Sequence, residues 1–540
     1  AMSRHAILLL ALVAAPAAAA DGPAGSYRLT AEFGDSSFTA LLSFAHQNNQ
    51  WTGQFLGGLD LPPQLTPSVR DVRVTGDRLR FTLVLAGNQA MTFDGKLPAG
   101  RGPVSGSVAA GDALVPVTME PSALAKFDRT ELLKEMVTSG PPTGPLFYSI
   151  TAELLRGASA SKAKPEEVKA WVDRAAKAAE SHGVRWHIAV LLRLVRPLLD
   201  QPAYSAVALD LARRAERLLD PSDDVAVQLA VLDVLERLLR QANDPAAATV
   251  RARLDTLEAM DYRDYLAGFP VRPDPYTGRK ARSDRAVLVE LFTGAEDAPS
   301  MAAALAFDAL ARAYKPTEVV RLEYHLHLPD ADPLANAASQ ARWAYYLARM
   351  DRAAAATPTV VINGRPGAGG GGPPEFAAAK LKQYRALIDP LLDTPAAAQL
   401  QLTAQRSGDK LSITAKVSGL SKPGEKVRLR LAVSESAVRY RGGNGLRYHQ
   451  CVVRGFAGPV EGWPLPKPAA DGVPAQRVEA TVDVTELRAG LNRELDEYQK
   501  KNAGFVFPDR PLGLKPLVVV AFVQDDVTHE VYQAAQVEVR

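Results

Sequence analysis

Asp297 and Ser300, three positions apart, stand between a β-branched apolar run, Val287 to Phe292, and an alanine-rich amphipathic stretch from about Pro299 to Tyr314. The run reads as a buried strand and the stretch as a helix, so both side chains fall at a helix start, where free N–H groups and the dipole favour negative charge. Asp is a preferred N-cap, worth about 1 kcal/mol over alanine. A plain cap is therefore its simplest role, and an acidic group in a groove its functional one. Some sixty residues on, Thr357-Pro358-Thr359 leads into Val360 to Ile362 and an Asn363-Gly364 hairpin turn. A proline directly before a strand cannot donate to a ladder, and a cis Thr357–Pro358 bond is expected. His325 and His327, two apart at the end of a strand expected over 319–326, share one face, with Asp330 and Asp332 just beyond. They offer nitrogen and oxygen for zinc or copper if the aspartates fold back. With no third ligand at fixed spacing, the pattern predicts a metal-free protein.

Cys451 is the single cysteine, so neither an intramolecular disulfide nor a cysteine metal cluster can form. In Cys451-Val452-Val453 it reads as an inert core thiol. No Gly-x-Ser-x-Gly, Walker-type or dinucleotide glycine pattern occurs, and no sequence sign pairs Ser300 with a base. Lys and Arg number 63 against 60 Asp and Glu, a balance that indicates no nucleic-acid partner.

The 540 residues are enough for several cores. Arg4, the apolar Ala6 to Val13 and Ala18-Ala19-Ala20 form a secretory-signal pattern, with cleavage expected after Ala20. The mature chain is expected to be exported, to the periplasm, cell surface or medium, without a membrane span. Residues 21–122 alternate in short runs broken by turns and predict an antiparallel β-domain, a sandwich or small barrel with a filled core or an apolar ligand. Residues 123–270 have a 3.6 period and predict an α-helical connector with antiparallel neighbours and no alignable repeat. Residues 271–394 alternate strand and helix, with a mobile glycine loop expected at Gly367 to Pro374. Residues 395–540 return to alternation and predict an immunoglobulin-like β-sandwich, interrupted by an excursion over 437–498 with a helix from Val484. The fold class is thus multidomain α+β.

Within 284–393, about a fifth of the chain, Val289-Glu290-Leu291-Phe292-Thr293-Gly294, Tyr324-His325-Leu326-His327, Asp332-Pro333-Leu334, Ala341-Arg342-Trp343 and Thr357-Pro358-Thr359 carry a resemblance. The region resembles the thioredoxin-like domain of secreted bacterial proteins. The stretch holding His449-Gln450-Cys451-Val452-Val453-Arg454 resembles the domain that often follows it. The resemblance implies a thioredoxin-like α/β domain whose helix start would carry Cys-x-x-Cys, and Asp297 and Ser300 occupy those two positions. It implies a redox-inactive module without a cofactor, in which Asp297, Ser300, Thr357 and Pro358 form a groove for a protein or peptide. Two rivals remain: a thiol-disulfide protein acting through an external thiol, and a metal-handling protein using His325 and His327.

Overall fold

The computed structural model describes residues 22–539 except 34–35, 60–66, 86–89, 112, 143, 349–355, 422–423, 425, 466–475, 503–504 and 508. The expected signal, residues 1–20, lies outside the described residues. The chain is mixed α+β and divides into two compact units, up to Ala259 and from Met260. Among the described residues no helix is long and apolar enough to cross a membrane.

The first unit opens with eight strands, β1 (Gly25–Phe33), β2 (Ser36–Gln47), β3 (Gln50–Leu59), β4 (Ser68–Thr75), β5 (Arg78–Val84), β6 (Ala90–Lys96), β7 (Val104–Ala110) and β8 (Ala113–Ser122). They form one antiparallel sheet in the order β3-β2-β1-β8-β7-β6-β5-β4, nearly closed into a barrel. Tyr27, Phe44, Phe81 and Phe93 are buried in its core, Phe81 and Phe93 stacked at 4.9 Å, so side chains fill it. Gly95 and Gly106 pair across β6 and β7. A Cβ on Gly106 would lie 2.5 Å from the Asp94 carbonyl oxygen and 2.9 Å from the Phe93 ring, an approach that only glycine allows.

Among the described residues seven α-helices follow, α1 (Arg129–Ser139), α2 (Gly144–Arg156), α3 (Pro165–Glu180), α4 (Val184–Val195), α5 (Ser205–Arg217), α6 (Val225–Gln241) and α7 (Ala246–Ala267). Asp128 and Asp224 cap α1 and α6 through their side chains, which fixes where these helices begin. Leu41 and Leu59 of the sheet share one core with Leu132 and Leu154 of the helices, and Arg28 pairs with Glu135 at 2.9 Å. The sheet and the helices that follow are therefore packed into one unit across the boundary expected at 122/123. The division between units falls inside α7 because its last turns join the second unit: Asp261 accepts from Arg439, Arg447 and the Tyr448 hydroxyl.

The second unit contains β9 (Val287–Thr293), α8 (Met301–Ala313), β10 (Val319–His325), α9 (Ala337–Leu347), β11 (Thr359–Ile362), β12 (Arg365–Gly369) and α10 (Ala377–Leu392). It continues with β13 (Gln399–Ser407), β14 (Lys410–Ser418), β15 (Val427–Arg439), β16 (Tyr448–Phe456), β17 (Trp463–Pro464), β18 (Gln476–Asp483), α11 (Val484–Lys501), β19 (Leu517–Asp525) and β20 (Val531–Glu538). β9 is buried along its whole length, as its unbroken apolar pattern requires. It pairs in parallel with β10 and antiparallel with β11. α8 and α10 cover one side of this sheet through Phe307, Leu310, Tyr384 and Ile388, and Trp343 and Tyr346 of α9 pack in a separate core with Phe292 and Leu322.

Most of the C-terminal strands do not form a sheet of their own. The sheet runs β12-β11-β9-β10-β16-β15-β19-β20 with β17 beside β15, so four late strands extend the sheet begun by β9 across the boundary expected at 394/395. β16 meets β10 in parallel at Glu323 and Val452. The sandwich-like element is smaller: β13, β14 and β18 form a three-stranded sheet whose Leu411 and Ile413 pack on Leu429, Leu431 and Val519.

At the centre of the sheet, Glu290 is fully buried. It accepts two hydrogen bonds from Arg342, at 2.8 and 2.9 Å, and one from the Tyr346 hydroxyl. The Arg342 guanidinium also lies over the rings of Tyr345, Tyr346 and Phe522. Such a charge is tolerable only because a bidentate partner and a hydroxyl satisfy it.

Candidate functional site

The chain leaves β9 at Thr293, turns through Gly294 to Asp297, makes a 3-10 turn over Ala298–Ser300 and enters α8. Asp297 occupies the cap position, yet its side chain bonds no backbone N–H. The Ser300 hydroxyl donates to Asp297 Oδ2 instead, and the Ser300 amide donates to the Asp297 carbonyl at 2.9 Å. The plain-cap role is thus replaced by a closed side-chain pair, with Asp297 5% and Ser300 0% exposed. Neither is free to meet a ligand in this conformation.

The Thr357–Pro358 bond is cis. Pro358 comes to the helix start, but Gly371 lies between them: a Cβ on Gly371 would stand 1.9 Å from the Pro299 carbonyl oxygen and 3.1 Å from Pro358 Cδ. The Gly372 amide donates to Pro299 at 2.7 Å, and the Ala302 amide donates to Gly372 at 3.0 Å. The glycine run expected to be a mobile loop is therefore β12 up to Gly369, and its next residues dock on the helix start. Ala302 is one of the helix amides without an intrahelical acceptor, and Gly372 satisfies it. We expect Gly371→Ala to detach this segment, because a Cβ has no space against fixed backbone. Hydrogen exchange at the Ala302 amide should accelerate about fivefold, the effect of losing one hydrogen bond of about 1 kcal/mol.

From the other side, residues 440–446 close over the turn. Tyr440 and the Gly443 amide donate to the Glu296 carboxylate at 2.6 and 2.8 Å, and the Asn444 amide donates to the Ala295 carbonyl at 2.9 Å.

Beneath the turn lies a cluster of ionisable groups. The Ala295 amide donates to Asp332 Oδ2 at 2.6 Å, and the Leu334 amide to Asp332 Oδ1 at 2.7 Å. Asp332 Oδ2 also meets His325 Nδ1 at 2.7 Å, so Asp332 does fold back onto the strand end. His325 Nε2 is 3.6 Å from Glu323 Oε1, and the His325 and His449 rings meet edge to face at 4.9 Å. Burial disfavours charge on His325, but Asp332 and then Glu323 outweigh it and push its pKa up to about 9. Burial, aided by the neighbouring His325, pushes His449 down to about 4, so it is neutral.

His327 is not part of this cluster. Strand β10 ends at His325, which breaks the alternation that would have put the two histidines on one face. His327 Nδ1 accepts from the Asp332 amide at 3.1 Å, and its ring lies tilted against Tyr498 with centroids 4.0 Å apart. The residues missed by the sequence reading are Glu323 and His449. Glu323-x-His325 was a legible signal, two positions apart on one strand, whereas His449 comes from 124 residues downstream and only the β10–β16 pairing brings it in. Cys451 on β16 is half-buried with a φ of 57°, and burial raises its thiol pKa, which favours the unreactive protonated form.

No family model and no curated protein matches this chain. Among solved structures, HBP35 of Porphyromonas gingivalis aligns at 19% identity over 48% of this chain and 77% of its own, with a TM-score of 0.31. A likeness of that size carries no argument about fold or function.

Proposed function

We propose that this protein is an exported, redox-silent thioredoxin-type module that binds an extended protein or peptide segment at the groove between the α8 start and Pro358. The strand order β10-β9-β11-β12, with a helix after each of the first two strands and after the hairpin, supports the thioredoxin-type reading. The observation that carries the binding role is Gly372, which already makes main-chain hydrogen bonds in both directions with Pro299 and Ala302. A groove that holds the chain's own backbone in this way is suited to backbone of another chain. The paired side chains of Asp297 and Ser300 support loss of thiol chemistry with retention of the fold, since exchange needs a thiolate and a resolving thiol.

The test compares the full-length protein with a variant in which residues 367–372 are shortened. Fluorescence anisotropy with a labelled unfolded polypeptide should show weak binding to the native chain and binding about tenfold tighter to the variant, because the competing segment no longer occupies the groove. Equal or absent binding by both would refute the groove reading. Neither protein should reduce insulin disulfides.

A further inference from the structure

We propose that Glu323, His325 and His449 bind one divalent transition-metal ion of the zinc class, which staples β10 to β16. The donor atoms of the three side chains all lie within 4.8 Å of one another, and each residue is at most 1% exposed. Glu323 Oε2, His325 Nε2 and both ring nitrogens of His449 make no hydrogen bond of normal geometry, although the Glu323 carboxylate and the Tyr440 backbone lie near enough to favour charge on His325 and His449 respectively. Buried polar atoms are nearly always satisfied, so these atoms, converging from two strands, are placed to share one partner. A cation can serve all three residues, with both imidazoles neutral and a carboxylate oxygen and two imidazole nitrogens as its ligands.

The support around these donors fits a metal as well. His325 presents Nε2 to the cluster while Nδ1 bonds Asp332, whose two oxygens are fixed by the Ala295 and Leu334 amides. A carboxylate behind a ligating histidine sets its tautomer and raises its basicity. Two imidazoles and one carboxylate suit zinc, and the absence of a thiolate from the set argues against a soft ion.

The position gives the ion a purpose. β10 and β16 are joined in register by a single residue pair, Glu323 and Val452, where the two halves of the sheet meet. β9 and β10, by contrast, pair over seven residues. A metal held by Glu323 and His325 from β10 and His449 from β16 would cross-link the sheet at its thinnest hydrogen bonding. This proposal is independent of the peptide groove and survives its failure.

The test uses the full-length chain produced in zinc-supplemented medium and dialysed against metal-free buffer. Elemental analysis should find close to one zinc per chain in the native protein and in His327→Ala. His449→Ala and Glu323→Gln should lose it, and Asp332→Asn should bind at least about tenfold more weakly. Zinc should raise the melting temperature of the native chain by about 5 °C and leave His449→Ala unmoved. Cobalt(II) in place of zinc should give visible d–d bands without a thiolate charge-transfer band. Should His449→Ala fail to fold, Glu323→Gln, which keeps the side-chain volume, gives the same comparison. Native protein free of metal after zinc supplementation and unresponsive to zinc or cobalt would overturn the proposal, as would full retention of zinc by both His449→Ala and Glu323→Gln.

Discussion

Asp297→Cys combined with Ser300→Cys should give a chain that forms an internal disulfide across the 3-10 turn that leads into α8. The native side chains already touch at this spacing, Ser300 donating to Asp297, so the positions face each other. At a helix start the dipole and free amides favour a thiolate and lower its pKa below the ordinary value of about 8.5. Thiol titration of the unfolded variant should count the two new cysteines and Cys451 after reduction, and Cys451 alone after oxidation. Because Gly371 and Gly372 lie against Pro299, the disulfide should form yet react slowly with insulin. Shortening residues 367–372 in the same background should raise the reductase rate. If the variant folds and its new cysteines stay unpaired, the equivalence of these positions with a Cys-x-x-Cys is wrong, and the thioredoxin-type reading loses its site.

The largest stability effect is expected at Glu290. Glu290→Ala leaves the Arg342 guanidinium buried without its bidentate partner, and Arg342→Ala leaves the carboxylate with only the Tyr346 hydroxyl. Removal of one member of such a pair costs about 3–5 kcal/mol, far more than a surface pair is worth. The double change Glu290→Leu with Arg342→Met should recover most of that loss, since apolar side chains of similar size carry no desolvation cost. Denaturant unfolding of the three variants, followed through Trp343 beside Phe292, measures both effects. Near-native stability of Glu290→Ala would mean that the pair is solvated and contributes little.

Local pattern was enough for much of this protein. The unbroken apolar run of β9, the Asn363-Gly364 turn and the cis bond before Pro358 all follow from nearest-neighbour chemistry, which a sequence displays directly. The placement of Asp297 and Ser300 three apart at a helix start was legible for the same reason. What they bond was not, because a cap aspartate can accept from backbone or from a hydroxyl, and the packed turn decides which. The glycine run looked mobile since composition reports the freedom of a chain and not the surface it finds; Pro299 and Ala302 supply that surface. His325 and His327 looked like partners because strand alternation was assumed to continue, and β10 stops at His325. Whether late strands form their own sandwich or extend an earlier sheet depends on which edge they meet, and a period of two is the same in both. Only the pairing of β16 with β10 settles that, and the same pairing carries His449 to Glu323 and His325. Tertiary contact across more than a hundred residues leaves no periodic trace in either strand, so the ionisable cluster belongs to the fold and not to any one stretch of sequence.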